Sequence, residues 1–307
     1  MERSPNRSRT AGVLVRLGLL LAGAMVASAH PGSSIVVDSQ GQVYFVDTGQ
    51  GVWKLDRQGR LTLIHKLGYH WMAIDDKGLF AKSNALGDFD RGSFERITPA
   101  GAAPALIISS DYPIEVGADG GLYYVPFQPQ RLRELVRRTS EGARSVFARL
   151  PADPGDKPML WVNGIAAGPA GSLYITDNDT VRKIDRNGTV STFREAIQAP
   201  GCPAPLPDTP KLPYLRGLAV APDGTVYAAA NGCRSLIEIR AQGPIRTVLE
   251  AQSPWSPTGV ALAGNDIYVL EYLHTPGDNR REWIPRVRKI AAGGRVTILA
   301  TVEREKK

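Results

Sequence analysis

Apolar and polar residues alternate through most of the chain in short stretches that end at glycine-containing turns. In six stretches a large apolar residue precedes a glycine by seven positions: VWKLDRQG (52–59), FERITPAG (94–101), LVRRTSEG (135–142), VRKIDRNG (181–188), LIEIRAQG (236–243) and VRKIAAGG (287–294). Alternation with a period of two is typical of half-buried strands, and the glycine suits a hairpin turn with positive φ. Each copy therefore predicts a β-hairpin.

A second hairpin is predicted upstream of each copy, for example in SSIVVDSQGQVYFVD (33–47) and RGLAVAPDGTVYAAA (216–230). Its second strand carries one aromatic residue in every unit: Tyr44, Phe80, Tyr123, Tyr174, Tyr227 and Tyr268. Each unit thus predicts four antiparallel strands, A to D from the centre outward. Six units predict an all-β fold, a six-bladed β-propeller. The blades are expected at about 33–66, 67–109, 110–150, 158–197, 212–251 and 255–302.

The first 29 residues have the features of a signal peptide. Arg3, Arg7, Arg9 and Arg16 precede an apolar stretch, LGLLLAGAMV, and small residues follow at 27–29. The stretch is shorter than the roughly 20 residues that a membrane span needs. We therefore expect a signal peptide over 1–29 and a mature propeller over 30–307. The mature protein is expected to be periplasmic or secreted, without stable membrane insertion.

The charge balance argues against a nucleic-acid partner. The whole chain carries a net charge of +7, and residues 1–29 hold four Arg and one Glu, so the mature chain keeps a surplus of only +4. The densest basic run, residues 131–138, alternates with Leu and Val, which is typical of a solvated strand face. We expect a monomer that binds a small molecule or a peptide.

The repeats resemble those of NHL-repeat propellers, most closely in GIAAGPAGSLYITD followed by VRKID, and in GLAVAPDGTVYAAA. The same pattern is shared by the neighbouring gluconolactonase (senescence-marker-protein) and strictosidine-synthase-like propellers. The resemblance extends over nearly all of residues 33–300. It implies the six-bladed fold, but it does not choose an activity, because this scaffold hosts many functions.

The two faces of the disc are predicted to differ. The A–B and C–D turns, which are uniformly short, form the turn face. The B–C loops and the connections between blades form the loop face, where the spacing from the B-strand aromatic to the C strand varies from 7 to 19 residues. Long, variable loops on a rigid scaffold are where binding usually occurs. Cys202 and Cys233 both fall on the loop face, and we expect them to form a structural disulfide.

A polar ring is predicted where the A strands begin at the loop face. Aligning the blades, with a one-residue gap in blade 2, places these residues there: Ser33, His70, Tyr112, Asn163, Arg216 and Thr258. The ends of the B strands add Asp47, Asn84, Asp177, Asn231 and Glu271, with His274 close by. One interpretation is a water-filled polar funnel. The other is a ligand or catalytic site, favoured because His70, Arg216 and Glu271 have no structural role in the repeat. The ligand-binding candidates are His70, Tyr112, Asn163, Arg216, Glu271 and His274.

Two functions remain open. The first is binding of a small molecule or peptide at the loop face of the channel. The second is hydrolase or lyase activity on a lactone or ester, as the resemblance to gluconolactonases implies. That family holds calcium with Glu, Asn and Asp at the channel mouth, but here Ser33 stands at the Glu position and Arg216 at the Asp position. Calcium is therefore possible but disfavoured, and the sequence indicates no other cofactor. A metal-free hydrolase using His70 or His274 with Glu271 stays open.

Overall fold

The chain folds into six β-sheets arranged around a central channel in a computed structural model. The structure describes residues 31–81, 94–99, 106–126, 133–151, 162–202, 213–273 and 283–303. The proposed signal peptide (1–29), Asn84 and His274 lie outside these ranges. Among the described residues, no helix has the length and apolar character needed to cross a membrane.

The strands of the first three blades are β1 (Ile35–Val37), β2 (Val43–Asp47), β3 (Gly51–Leu55) and β4 (Leu61–His65); β5 (Trp71–Asp75), β6 (Phe94–Ile97) and β7 (Leu106–Ser110); and β8 (Ile114–Val116), β9 (Leu122–Tyr124), β10 (Glu134–Arg138) and β11 (Arg144–Arg149). Those of the last three are β12 (Val162–Ala167), β13 (Leu173–Asp177), β14 (Thr180–Ile184) and β15 (Val190–Arg194); β16 (Leu215–Val220), β17 (Val226–Ala230), β18 (Ser235–Ile239) and β19 (Arg246–Glu250); and β20 (Trp255–Ala263), β21 (Asp266–Leu273), β22 (Ile284–Ile290) and β23 (Val296–Thr301).

The innermost strands close a ring. Five sheets are four-stranded antiparallel meanders in chain order, and the strands β1, β5, β8, β12, β16 and β20 each contact the next around the channel. The ring closes where β20 contacts β1, so the last blade packs directly on the first. The predicted six-bladed propeller is thereby confirmed.

The alternating pattern builds one apolar core at each of the six interfaces between blades. In β1, Ile35 packs against blade 6, whereas the next residue, Val36, packs against blade 2. In blade 2, Met72 and Ala73 divide in the same way between blades 1 and 3. The alignment from His70 to Ala73 therefore needs no gap, contrary to the sequence alignment. Both faces of every sheet are covered, because successive side chains point to opposite faces.

The aromatic and basic positions of the repeat are cross-strand partners. Tyr174 in β13 lies opposite Lys183 in β14, and the Lys183 Nζ lies 5.7 Å from the centre of the tyrosine ring. The same pairing recurs in blades 1 and 6, with distances of 5.9 Å and 5.5 Å. The stem of each lysine covers an aromatic ring while its ammonium group stays near solvent. This packing explains why the two residue types recur together.

Blade 2 departs from the predicted four-strand meander. Its described sheet has three strands in the order β5–β7–β6, so the last strand lies between the other two. Phe80, expected on a strand, lies in a turn where its amide donates to Asp75 Oδ2 at 2.8 Å. All five residues of β7 are buried, which suits a strand with neighbours on both sides, whereas β6 is more exposed. Burial of the apolar run in β7 accounts for the different order.

The predicted disulfide between Cys202 and Cys233 is confirmed. It ties the connection between blades 4 and 5 to a short 3-10 helix, Asn231–Cys233, that follows β17. Cys233 is buried in the core between these two blades. The bond therefore reinforces an interface that already exists.

Candidate functional site

Backbone atoms narrow the channel at its loop end. A β-carbon built on Gly217 would lie 2.5 Å from the Ser33 carbonyl oxygen and 2.9 Å from Gly259 Cα. A β-carbon on Gly259 would also lie 2.5 Å from that Ser33 oxygen. Blades 1, 5 and 6 thus approach one another as closely as glycine allows. Little space is left at this point for a ligand.

Two residues of the predicted polar ring connect blades. Arg216 is buried, and its guanidinium donates to Ser33 Oγ at 3.0 Å and to the Pro31 carbonyl oxygen. Asn163 Nδ2 donates to the Leu215 carbonyl oxygen at 3.0 Å, which joins blade 4 to blade 5. The expectation that Arg216 has no structural role in the repeat is wrong. Once the strands converge, buried backbone carbonyls need donors, and these two side chains supply them.

Glu271 forms a buried ion cluster within blade 6. Its carboxylate is fully buried, with Oε2 at 2.5 Å from Arg286 Nε and Oε1 at 3.2 Å from Arg288 Nη1. The Arg286 guanidinium also lies over the Trp255 ring, 3.9 Å from its centre. The expectation of no structural role for Glu271 is therefore wrong as well. Its charge is neutralised by two cations of the neighbouring strand.

The ends of other B strands are occupied in a similar way. Asp177 accepts from Arg133 of blade 3 and from Arg182 of its own blade, both at 3.0 Å. Asn231 Nδ2 donates to Ser256 Oγ and to the Pro257 carbonyl oxygen, both at 3.0 Å. These groups hold neighbouring blades together.

Two further members of the ring are buried. Tyr112 belongs to the core between blades 2 and 3, where it stacks on Tyr124 with ring centres 6.2 Å apart. Thr258 is fully buried beside the Leu270 carbonyl oxygen, at 3.5 Å. Core packing engages the Tyr112 ring, and a backbone oxygen engages the Thr258 hydroxyl.

His70 is the ring member that keeps a polar atom unused. Its Nδ1 lies 3.2 Å from Asp111 Oδ1, while its Nε2 is buried and has no hydrogen-bond partner among the described residues. The neighbouring Trp71 is half-buried, and its ring centre lies 5.4 Å from that of His70. The indole N–H donates to the Asn163 carbonyl oxygen at 2.9 Å, which fixes the orientation of the ring. This group combines an aromatic surface with an available imidazole nitrogen.

The channel itself holds a cavity of about 220 Å³. It extends from Ser33 and Trp71 at the loop end to Val37 and Leu262 at the turn end. The lining residues are mostly buried near the loop end and half-exposed near the turn end. The cavity therefore opens on the turn face, the side to which the sequence assigned no binding role.

Glu115 is the one carboxylic acid among the described residues that line this cavity. Its Oε1 accepts from the Val116 N–H at 3.0 Å. Removal from water raises the pKa of Glu115 to about 8, although hydrogen bonds from the Val116 and Ala167 amides act in the opposite direction. A protonatable carboxyl in an apolar channel is a strong candidate for a functional group.

Sequence reasoning missed Asp111, Trp71 and Glu115. Glu115 had a detectable signal, because the equivalent residues of the other innermost strands are all apolar: Val36, Ala73, Ala166, Ala219 and Ala261. Asp111 and Trp71 had none, since the pairing of β5 with β7 within blade 2, which sets Trp71 opposite Ser110, brings Asp111 to His70. Within the described ranges, no three His, Cys, Asp or Glu side chains are grouped closely enough to hold a metal ion.

No protein-family model matches the chain, and no curated protein matches it by sequence. Solved structures do resemble it. The luciferin-regenerating enzyme is 14% identical, with a TM-score of 0.52 over 92% of this chain and 98% of that one. At this identity the similarity shows a shared fold and nothing more.

Two further solved structures match with lower TM-scores. Regucalcin from Agrobacterium tumefaciens strain C58, described as a calcium-binding protein, is 13% identical, with a TM-score of 0.42 over 89% of this chain and 74% of that one. Virginiamycin B lyase from Staphylococcus aureus is 13% identical, with a TM-score of 0.42 over 89% of this chain and 70% of that one.

Proposed function

We propose that the protein binds a small organic molecule at the loop face, where His70 provides the main polar contact. The observation that carries this proposal is the buried His70 Nε2, which has no hydrogen-bond partner within the described ranges and lies beside the oriented ring of Trp71. A buried nitrogen without a partner costs about 1–3 kcal/mol, and a ligand with a matching donor or acceptor removes that cost. Asp111 strengthens the case, because its bond to Nδ1 sets the orientation of the imidazole.

Replacing His70 with alanine should weaken ligand binding about tenfold or more, because the ligand loses its hydrogen bond to Nε2. Sugars, lactones and short peptides can be screened by thermal shift, and dissociation constants of the hits measured by calorimetry. His65→Gln is the matched control, since His65 pairs with Glu95 at 3.0 Å rather than with Asp111. Equal affinities for His70→Ala and the wild type would contradict the proposal, and a peptide hit would change the ligand class.

The His70–Asp111 pair also favours a second candidate, a metal-free hydrolase or lyase. A carboxylate that holds Nδ1 leaves Nε2 free to accept a proton from water or from a substrate carbon. If lactone or ester turnover is found, we expect both His70→Ala and Asp111→Asn to lower kcat by roughly 100-fold or more. Ligand binding without turnover of any compound in the panel would contradict the enzymatic function and retain the binding function.

Three further parts of the interpretation belong with this proposal. We propose that the repeats are of NHL type, based on the glycine, tyrosine and lysine positions. We propose that the protein acts in the periplasm or outside the cell, because a disulfide such as Cys202–Cys233 persists in oxidising compartments. We also propose that it works as a monomer without tightly bound calcium.

A further inference from the structure

At the turn end of the channel, one residue differs in chemical type from its equivalents in the other five blades. It takes no part in the proposed loop-face site. At the position of each innermost strand that is equivalent to Val36, the side chain faces the following blade, and in five blades it is Val or Ala. In blade 3 this position is Glu115. An acid in place of a small apolar residue costs desolvation free energy at a site where packing would accept alanine.

The cavity around Glu115 is otherwise apolar on its turn side. Its walls there include Val36, Ile74, Ala167 and Val220, and each of these residues is half-exposed. A molecule from solvent can therefore enter this end of the cavity, where Glu115 is itself partly exposed. The volume of about 220 Å³ limits the occupant to a small organic group.

The strands packed against β8 supply no cation to Glu115. The described strand β12 has no ionisable side chain, and β5 contributes only Asp75, which accepts from the Phe80 amide. Opposite Glu115, on β9, stands Tyr123, which donates to Asp119; Tyr124 follows it and belongs to the core with blade 2.

Across the channel, Arg216 on β16 is already bonded to Ser33 and Pro31 at the loop end. The described parts of β1 and β20 carry no ionisable side chain. Within the part of the chain that the structure describes, the elements nearest to Glu115 therefore give its carboxyl no counter-ion.

Three acidic residues lie at the turn end of the cavity, directly after residues that line it. Asp38 follows the lining residue Val37, and Asp75 and Asp76 follow the lining residue Ile74. Burial raises the pKa of Asp76, and the charges of Asp38 and Asp75 raise it further, so the three carboxyls lie within electrostatic range of one another. Lys77 is exposed at the same edge and offsets part of this charge. The negative potential favours the approach of a cation.

We propose that the turn end of the channel binds a small organic cation, a guanidinium or ammonium group on a short apolar stem, with Glu115 as its counter-charge. The apolar walls would contact the stem, and the amides of Val116 and Ala167 would stabilise the ionised carboxyl. This site lies at the opposite end of the channel from His70 and does not depend on the loop-face function.

The affinity should rise with pH. The cation favours the ionised carboxyl, and because the pKa of Glu115 is about 8, most of the acid carries a proton at pH 6 and little of it does at pH 9. For a ligand that stays charged throughout, we expect binding to strengthen by roughly 100-fold between pH 6 and pH 9. Near pH 6 each bound cation should release about one proton.

Calorimetry with methylguanidinium tests this, and methylurea serves as a neutral probe of the same shape. We expect methylguanidinium to bind and methylurea to bind at least tenfold more weakly at pH 9. Glu115→Gln should abolish the difference between the two probes and the pH dependence. Glu250→Gln, an exposed acid on the outer strand β19, should change neither.

Two controls keep the result clear. His70→Ala should retain methylguanidinium binding, so failure of the loop-face proposal would not imitate failure of this one. The titration of the wild-type protein tests the proposal even if a variant fails to fold. Methylguanidinium binding that is independent of pH, equal for methylurea, or undetectable at pH 9 would overturn the proposal.

Discussion

Replacing Glu271 with alanine should lower the free energy of unfolding by about 3–5 kcal/mol, because two partly buried guanidinium groups would lose their shared counter-ion. Arg286 and Arg288 are 12% and 17% exposed, so water can solvate them only in part. The hydrogen bond that Arg286 donates to Glu271 also holds the guanidinium over the Trp255 ring, and this contact would loosen. Urea unfolding followed by tryptophan fluorescence and circular dichroism measures this change.

The matched control is Glu238→Ala. Glu238 bonds Arg240 at 2.9 Å, but Arg240 is 56% exposed, and surface pairs of this kind contribute about 0–1 kcal/mol. A loss of less than 1 kcal/mol for Glu271→Ala would show that the cluster is not structural. It would also return Glu271 to the group of ligand-binding candidates to which the sequence assigned it.

Reducing the Cys202–Cys233 disulfide should lower the free energy of unfolding by about 3–4 kcal/mol. The bond closes a loop of 31 residues, and the chain-entropy model relates this length to the freedom that the unfolded chain regains. The change is measured by urea unfolding of the same protein with and without a reducing agent. Thiol titration of the unreduced, unfolded protein should find no free thiol.

The double variant Cys202→Ala/Cys233→Ala separates the bond from effects of the reductant. Its unfolding midpoint should be close to that of the reduced protein and should not respond to reducing agent. Because Cys233 is buried in the core between blades 4 and 5, alanine is a better replacement than serine, which would bury a hydroxyl group. Equal stability of the oxidised and reduced proteins would contradict the prediction.

The sequence alone determined the repeating architecture and the disulfide. Alternation of apolar residues, turn glycines and the tyrosine–lysine pairs are local features, and each depends on neighbours within one hairpin. Six copies in order leave few folds other than a six-bladed ring. Cys202 and Cys233 were paired from the same reasoning, because the blade order brings their two loops together.

The candidate site was decided only by the tertiary structure. Residue type shows that Arg216, Asn163 and Glu271 are polar, but not whether a distant strand offers each one a buried partner. The innermost strands approach one another closely at glycines at the loop end, and this approach buries backbone carbonyl groups that need hydrogen-bond donors. The strand order of blade 2 likewise followed from burial of β7, which no local pattern shows. His70 and Glu115 differ from these residues. Among the described residues, packing gives His70 Nε2 no hydrogen-bond partner and the Glu115 carboxyl no counter-ion, and only the assembled blades determine both.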